Sequence, residues 1–204
     1  MNNEQIENQP VSPNTLKIGM VSTILFVFIN ILSAITIQQG ENNSGGIGFA
    51  GGVRLIIYYF LYASIWYSMR EVLVKVLNLT HMYSVTTWML RLVIISGLFT
   101  LAADSLNVQN LLMMIFIIGL ALLGVFINFM IRVMQFDYHA MPEIKYLRYF
   151  VISFIVLFIL LMIIELLQYK LQINLKLISN LLYALPFIFV YIFFKEIKEI
   201  SSNN

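Results

Sequence analysis

The sequence predicts an all-α integral membrane protein, a bundle of about six transmembrane helices with no separate soluble domain. Three observations carry that reading. Of the 204 residues, 60% are apolar and only 11% are charged, where soluble domains run near 45–50% and about 25%; mean hydropathy is +0.88. The apolar residues gather into runs of 17–24 positions, long enough to cross a hydrocarbon core about 30 Å thick. Finally, a stretch such as LLMMIFIIGLALLGVFINFMI lacks the apolar–polar alternation of a barrel strand. A helix satisfies its backbone N–H and C=O groups within its own segment, as hydrocarbon requires.

Residues 1–15, with Glu4, Glu7, Pro10 and Pro13, read as a disordered polar tail. The leader is acidic and the apolar run Ile18–Ile37 is 20 residues long, which describes a retained first span rather than a cleaved signal peptide. A second span covers 53–69, and REVLVKVLNL continues it as helix to 79, beyond the membrane. Glu71, Lys75 and Asn78 then share one face. Val72, Leu73, Val76, Leu77 and Leu79 need cover from headgroups, neighbouring helices or a docked partner. Further spans occupy 85–103, 108–131, 149–167 and 175–194. The last contains Pro186, which removes one backbone donor and favours a kink. The membrane domain is 16–198 and a polar tail occupies 199–204.

Basic residues set the orientation. Lys17, Arg70, Lys75, Arg132, Lys145, Arg148, Lys195 and Lys198 fall on one side of a six-span arrangement, and Arg54, Lys170 and Lys176 on the other. Eight against three places both termini in the cytoplasm. Trp66, Tyr67, Tyr83 and Trp88 fall at the proposed cytoplasmic boundary, where amphipathic rings concentrate. The Ile-, Asn- and Phe-rich vocabulary points to a bacterial cytoplasmic membrane.

Several chemistries are excluded or weakly founded. The chain has no cysteine, which removes disulfides, thiolate metal sites and thiol nucleophiles. A net charge of +2 makes no case for nucleic acid, and no cofactor or metal is expected. Gly46, Gly48 and Gly51 spell GxGxxG, but between membrane helices that spacing reads as a flexible linker, without the strand–turn–helix unit a dinucleotide needs.

Three polar sets remain. Arg91 is a charge well inside a span; it either snorkels to the headgroups or lines a cavity with a partner such as Asn128, with Asn30 a further intramembrane polar candidate. Asp137, His139 and Glu143, in the loop QFDYHAMPEIK, are potential metal ligands or acid–base groups, with His81 on the same proposed face. Their spacing is irregular and Met141-Pro142 interrupts it. At the opposite boundary, Arg54, Asp104, Glu165, Lys170 and Lys176 sit where charges cost least. Ser64 and Ser68, and Gly119, Ala121 and Gly124, thin helix faces for close packing within one chain or between copies.

The sequence therefore predicts a non-enzymatic membrane protein, an accessory, regulatory or immunity-type subunit acting through protein contacts at its cytoplasmic face. Its expected partners are the lipid bilayer and another protein or a second copy. The alternative is a small transporter or channel with a polar pathway near Arg91, and the third reading a membrane-surface enzyme using the 137–143 loop.

Overall fold

The computed structural model describes residues 12–39, 49–106, 109–136, 142, 144–171 and 176–203. Among them are six α-helices and no strand: α1 Pro13–Gln39, α2 Phe49–Glu71, α3 Met82–Leu106, α4 Gln109–Gln135, α5 Ile144–Leu171 and α6 Lys176–Asn203. Four stretches are long and apolar enough to cross a membrane, Pro13–Leu32, Met82–Ala102, Met113–Gln135 and Ile144–Gln168. Helix α2 packs between α1 and α3, and α6 between α1 and α5.

Helix α1 starts at Pro13, inside the segment read as a disordered tail. The Ser12 hydroxyl accepts the Asn14 N–H at 3.3 Å, and Pro13 occupies the first helical position, where its missing N–H costs nothing. The segment 1–15 is thus helical from Pro13 onward, its first eleven residues lying outside the described ones. Helix α2 begins at Phe49, so Gly51 and Gly52 belong to it; Gly46 and Gly48 lie outside the described residues. Helix α6 stays helical through Pro186 and on to Asn203.

The expected straight extension of α2 to residue 79 does not form. The backbone widens into a π-helical turn at Val72–Val76, and Asn78 takes a positive φ of 53°, a left-handed conformation that asparagine tolerates better than most residues. The Leu77 N–H reaches the Val72 carbonyl at 3.1 Å and the Leu79 N–H the Leu73 carbonyl at 2.8 Å, closing the helix end. The chain turns back at once into α3. Val72, Leu73 and Leu79 are consequently buried in the core, covered by the protein's own helices rather than by lipid or a partner.

Neighbours in sequence are neighbours in space, and α1 meets α6 to close the ring. The most extensive interface is α1 with α6; α4 and α5 meet least. Burial is concentrated at the end of the bundle that carries Ser12 and Asn203, hereafter the terminal end. In α4 the described side chains from Met113 to Asn128 include none that is buried, and the same holds for α5 from Phe158 to Gln168. The bundle is packed at its terminal end and open in its far half.

Aromatic rings fill the packed half. Phe26 of α1 lies 4.5 Å from Phe187 of α6 and 4.8 Å from Tyr58 of α2, centroid to centroid. Trp66 of α2 meets Phe129 of α4 edge-on at 5.1 Å, and Phe126 meets Phe154 of α5 at 4.9 Å. Phe150 returns to Phe187 at 5.8 Å. Their contribution includes close packing and edge-to-face ring geometry. Trp66 is only 1% exposed and belongs to this cluster, whereas its neighbour Tyr67, and Tyr83 and Trp88, are exposed.

Candidate functional site

The polar groups of the terminal end are organised around helix termini. Arg132 on the last turn of α4 donates through Nε to the Asn128 amide oxygen at 2.9 Å, the i, i+4 spacing of neighbours on one helix face. Its Nη1 donates to the His81 carbonyl ahead of α3. Arg148, in the first turns of α5, donates through Nη2 to the carbonyls of Met134 at 2.6 Å and Phe136 at 2.9 Å. Those carbonyls lie at the end of α4, where no further turn supplies a donor, and a cation there complements the helix dipole. The His81 ring packs on Phe136 at 5.1 Å. Two arginines thereby clasp the adjoining ends of α3, α4 and α5.

A second cluster closes α2. The Glu71 carboxylate receives Arg70 Nη2 at 2.8 Å and Lys75 Nζ at 2.7 Å. The Arg70 guanidinium also lies over the rings of Tyr67 and Tyr83, 5.2 and 5.7 Å from their centroids. Burial pushes the Glu71 carboxyl upward, but the hydrogen bonds from Lys75 and Arg70, with their positive charges, outweigh it and hold the group below the ordinary glutamate range.

The intramembrane candidates do not converge. Arg91 is exposed on the outer face of α3 with its guanidinium 5.4 Å from the Trp88 ring centroid, the cation–π pairing open to a long side chain reaching along its own helix. Asn128 is exposed and accepts from Arg132, so of the two alternatives for Arg91 the pairing with Asn128 is not the one the structure forms. Asn30 donates through Nδ2 to the Phe26 carbonyl of its own helix at 2.8 Å. Thr23, Ser64 and Thr86 likewise bond back to the preceding turn. Between α2 and α3 the Tyr59 hydroxyl and Thr100 Oγ1 are 3.1 Å apart, a hydrogen bond across the two helices.

Asp137, His139 and Glu143 lie outside the described residues, and towards the described ones His81 contributes its carbonyl and its ring face. Among the described residues no group of three or more His, Asp or Glu side chains is placed to hold a metal ion. At the far end Arg54, Glu165 and Lys170 are exposed; the side chains of Asp104 and Lys176 lie outside the described ones. The residues that sequence reasoning missed are Arg132 and Arg148, counted for orientation but not recognised as clasps, and Glu71 as the acceptor shared by two cations. Comparison with protein-family models, with curated proteins and with solved structures gives no match.

Proposed function

We propose that this chain is a six-span, non-catalytic subunit of a bacterial cytoplasmic membrane, with both termini in the cytoplasm, that acts through contacts with another membrane protein or a second copy. The six spans are supported by the seating of α2 and α6 between helices apolar enough to cross a bilayer. Termini in the cytoplasm are supported by the eight-to-three distribution of basic residues.

The observation that carries the contact reading is how the polar side chains are employed. Arg132, Arg148, Arg70, Glu71 and Lys75 fasten helix ends, and the packed half is filled by aromatic rings. A transport pathway through Arg91 draws no support from a side chain on the outer face. With the Arg70–Leu79 stretch folded into the core, one surface open to a partner is the far half of α4. There Phe116 is 66% and Leu120 54% exposed, and a Cβ at Gly119 or Gly124 would meet nothing within 4 Å. Small residues of that kind admit a second helix closely.

Photocrosslinking residues at Phe116 and Leu120, activated in native membranes, test this. A discrete protein–protein adduct at those positions, absent at the buried Val133, is expected. Lipid adducts alone at Phe116, Leu120, Phe158 and Met162 would defeat the contact reading.

A further inference from the structure

On the outer surface between α1, α2 and α3 runs a groove of about 560 Å³, within the size range of small-molecule sites. Ile56, Phe60, Ile94 and Leu98 make it apolar, and Ser64 and Gly97 leave it room. Its length has a meaning in a bilayer. From Tyr67 to Ile56 along α2, and from Leu90 to Leu101 along α3, the lining covers eleven residue steps. At a rise of about 1.5 Å per residue that is about 16 Å, one leaflet of a hydrocarbon core about 30 Å thick.

Its cations are unequally divided, with Arg70, Lys75 and Lys17 towards the terminal side and Arg54 beyond Ile56 at the other end. Tyr67, at the terminal-side end, carries the Arg70 guanidinium 5.2 Å from its ring centroid. Arg70 and Lys75 share the single carboxylate of Glu71, leaving an excess positive charge, and the exposed Lys17 directly precedes Ile18, the groove's residue on α1. An apolar channel one leaflet long with cations at its interfacial end matches an amphiphile whose head is negative.

We propose that this groove binds an anionic phospholipid of the leaflet nearest the termini, one acyl chain lying along α2 and α3 and the phosphate meeting Arg70 and Lys17. The proposal rests on the membrane placement above. Arg70 reaches the groove's terminal end over the Tyr67 ring, Lys17 lies one residue before Ile18, and an anionic contact there is salt-screened but not lost at a membrane surface.

The full chain, reconstituted in vesicles of equal phosphatidylglycerol and phosphatidylcholine, is floated on a density gradient, extracted in mild detergent and weighed by native mass spectrometry. Wild type is expected to retain phosphatidylglycerol in preference to phosphatidylcholine. Lys17→Gln is expected to lower that preference about fivefold, the effect of one basic residue near an anionic surface. Ser64→Trp, which fills the groove, is expected to lose the bound lipid; Leu98→Trp at the exposed rim serves if that variant does not fold.

Equal retention of the two lipids overturns the proposal, as does retention unchanged by Lys17→Gln and the tryptophan variants. Loss in Arg54→Gln, beyond the opposite end, with retention in Lys17→Gln overturns the placement of the headgroup. A lipid-free dimer broken by Ser64→Trp would assign the groove to a second copy instead. Protein that fails to float contradicts the membrane placement itself, whereas protein that floats but carries no phosphatidylglycerol contradicts only the groove.

Discussion

A Cβ placed on Gly19 would stand 2.9 Å from the ring of Phe194 and 2.9 Å from the Cβ of Ser68. The absence of a side chain at that one position lets α1 approach α6 and α2 together. Gly19→Val is expected to lower the thermal unfolding midpoint in detergent, at a cost of about 1–3 kcal/mol for overpacking. Gly119→Ala and Gly124→Ala, whose new methyl groups meet nothing within 4 Å, are expected to be neutral or to stabilise by about 0.4–1 kcal/mol. Equal destabilisation by all three would show that α4 is packed where it is open here.

The two inter-element arginines should be far more costly to lose than the intramembrane one. Arg148→Gln strips donors from the Met134 and Phe136 carbonyls and is expected to cost about 1.5–3 kcal/mol, as hydrogen bonds from charged groups do. Arg91→Gln removes only an exposed cation beside Trp88 and is expected to change stability by about 0.5 kcal/mol or less. Chemical unfolding of both variants in the same detergent reads the difference; a larger loss at Arg91 would place it in a site absent from this structure.

Thr100 Oγ1 donates to the Ser96 carbonyl at 2.8 Å, so its hydrogen is spent and Tyr59 is the donor in the bond between α2 and α3. Tyr59→Phe is expected to cost about 0.6 kcal/mol, the average for hydrogen bonds between membrane helices. A double-mutant cycle with Thr100→Val isolates the pair, and zero coupling would remove the bond from the account.

Glu71 gives stability a pH dependence of definite sign. Its folded pKa lies below the ordinary value, so the ionised form is favoured by folding. The stabilisation is present above the unfolded pKa of about 4.3 and is lost as pH falls through the lower, folded value. Unfolding midpoints measured from neutral pH downward should drop across that acid window, and Glu71→Gln should flatten the drop while lowering the neutral-pH midpoint. A variant whose acid profile matched wild type would relocate the effect to another carboxylate.

Much of the architecture was legible, and what was not has physical causes. Runs of apolar residues located the six α-helices of the described residues, because long apolar runs without alternation read as helix rather than strand. They could not say which face packs inward, since a helix apolar all round carries no stripe. Trp66 and Tyr67 are adjacent and chemically alike, yet one is buried and the other exposed. Local spacing held more than was taken from it. Ser12-Pro13 is a cap followed by a first-turn proline, Trp88 and Arg91 stand at i, i+3, and Asn128 and Arg132 at i, i+4. The turn at Asn78 was hidden because asparagine also fits a helix, and only the cover available to Val72, Leu73 and Leu79 made folding back the better outcome. The clasps of Arg132 and Arg148 join residues 51 and 14 positions apart or nearly so, and no local pattern encodes such pairs.

The central claim, that lipid surrounds six antiparallel helices whose ends alternate across it, is tested most directly by cysteine accessibility, for which a chain without cysteine has no background. Single substitutions Ser12→Cys, Ser201→Cys, Lys170→Cys and Leu120→Cys are exposed in intact cells to a thiol reagent that cannot cross membranes. Labelling of Lys170→Cys alone, with Ser12→Cys and Ser201→Cys reacting only after the cells are opened and Leu120→Cys protected throughout, is the expected result. Labelling of Ser12→Cys and Ser201→Cys on opposite sides would contradict the six-span arrangement, and rapid labelling of Leu120→Cys in water would contradict the bilayer itself.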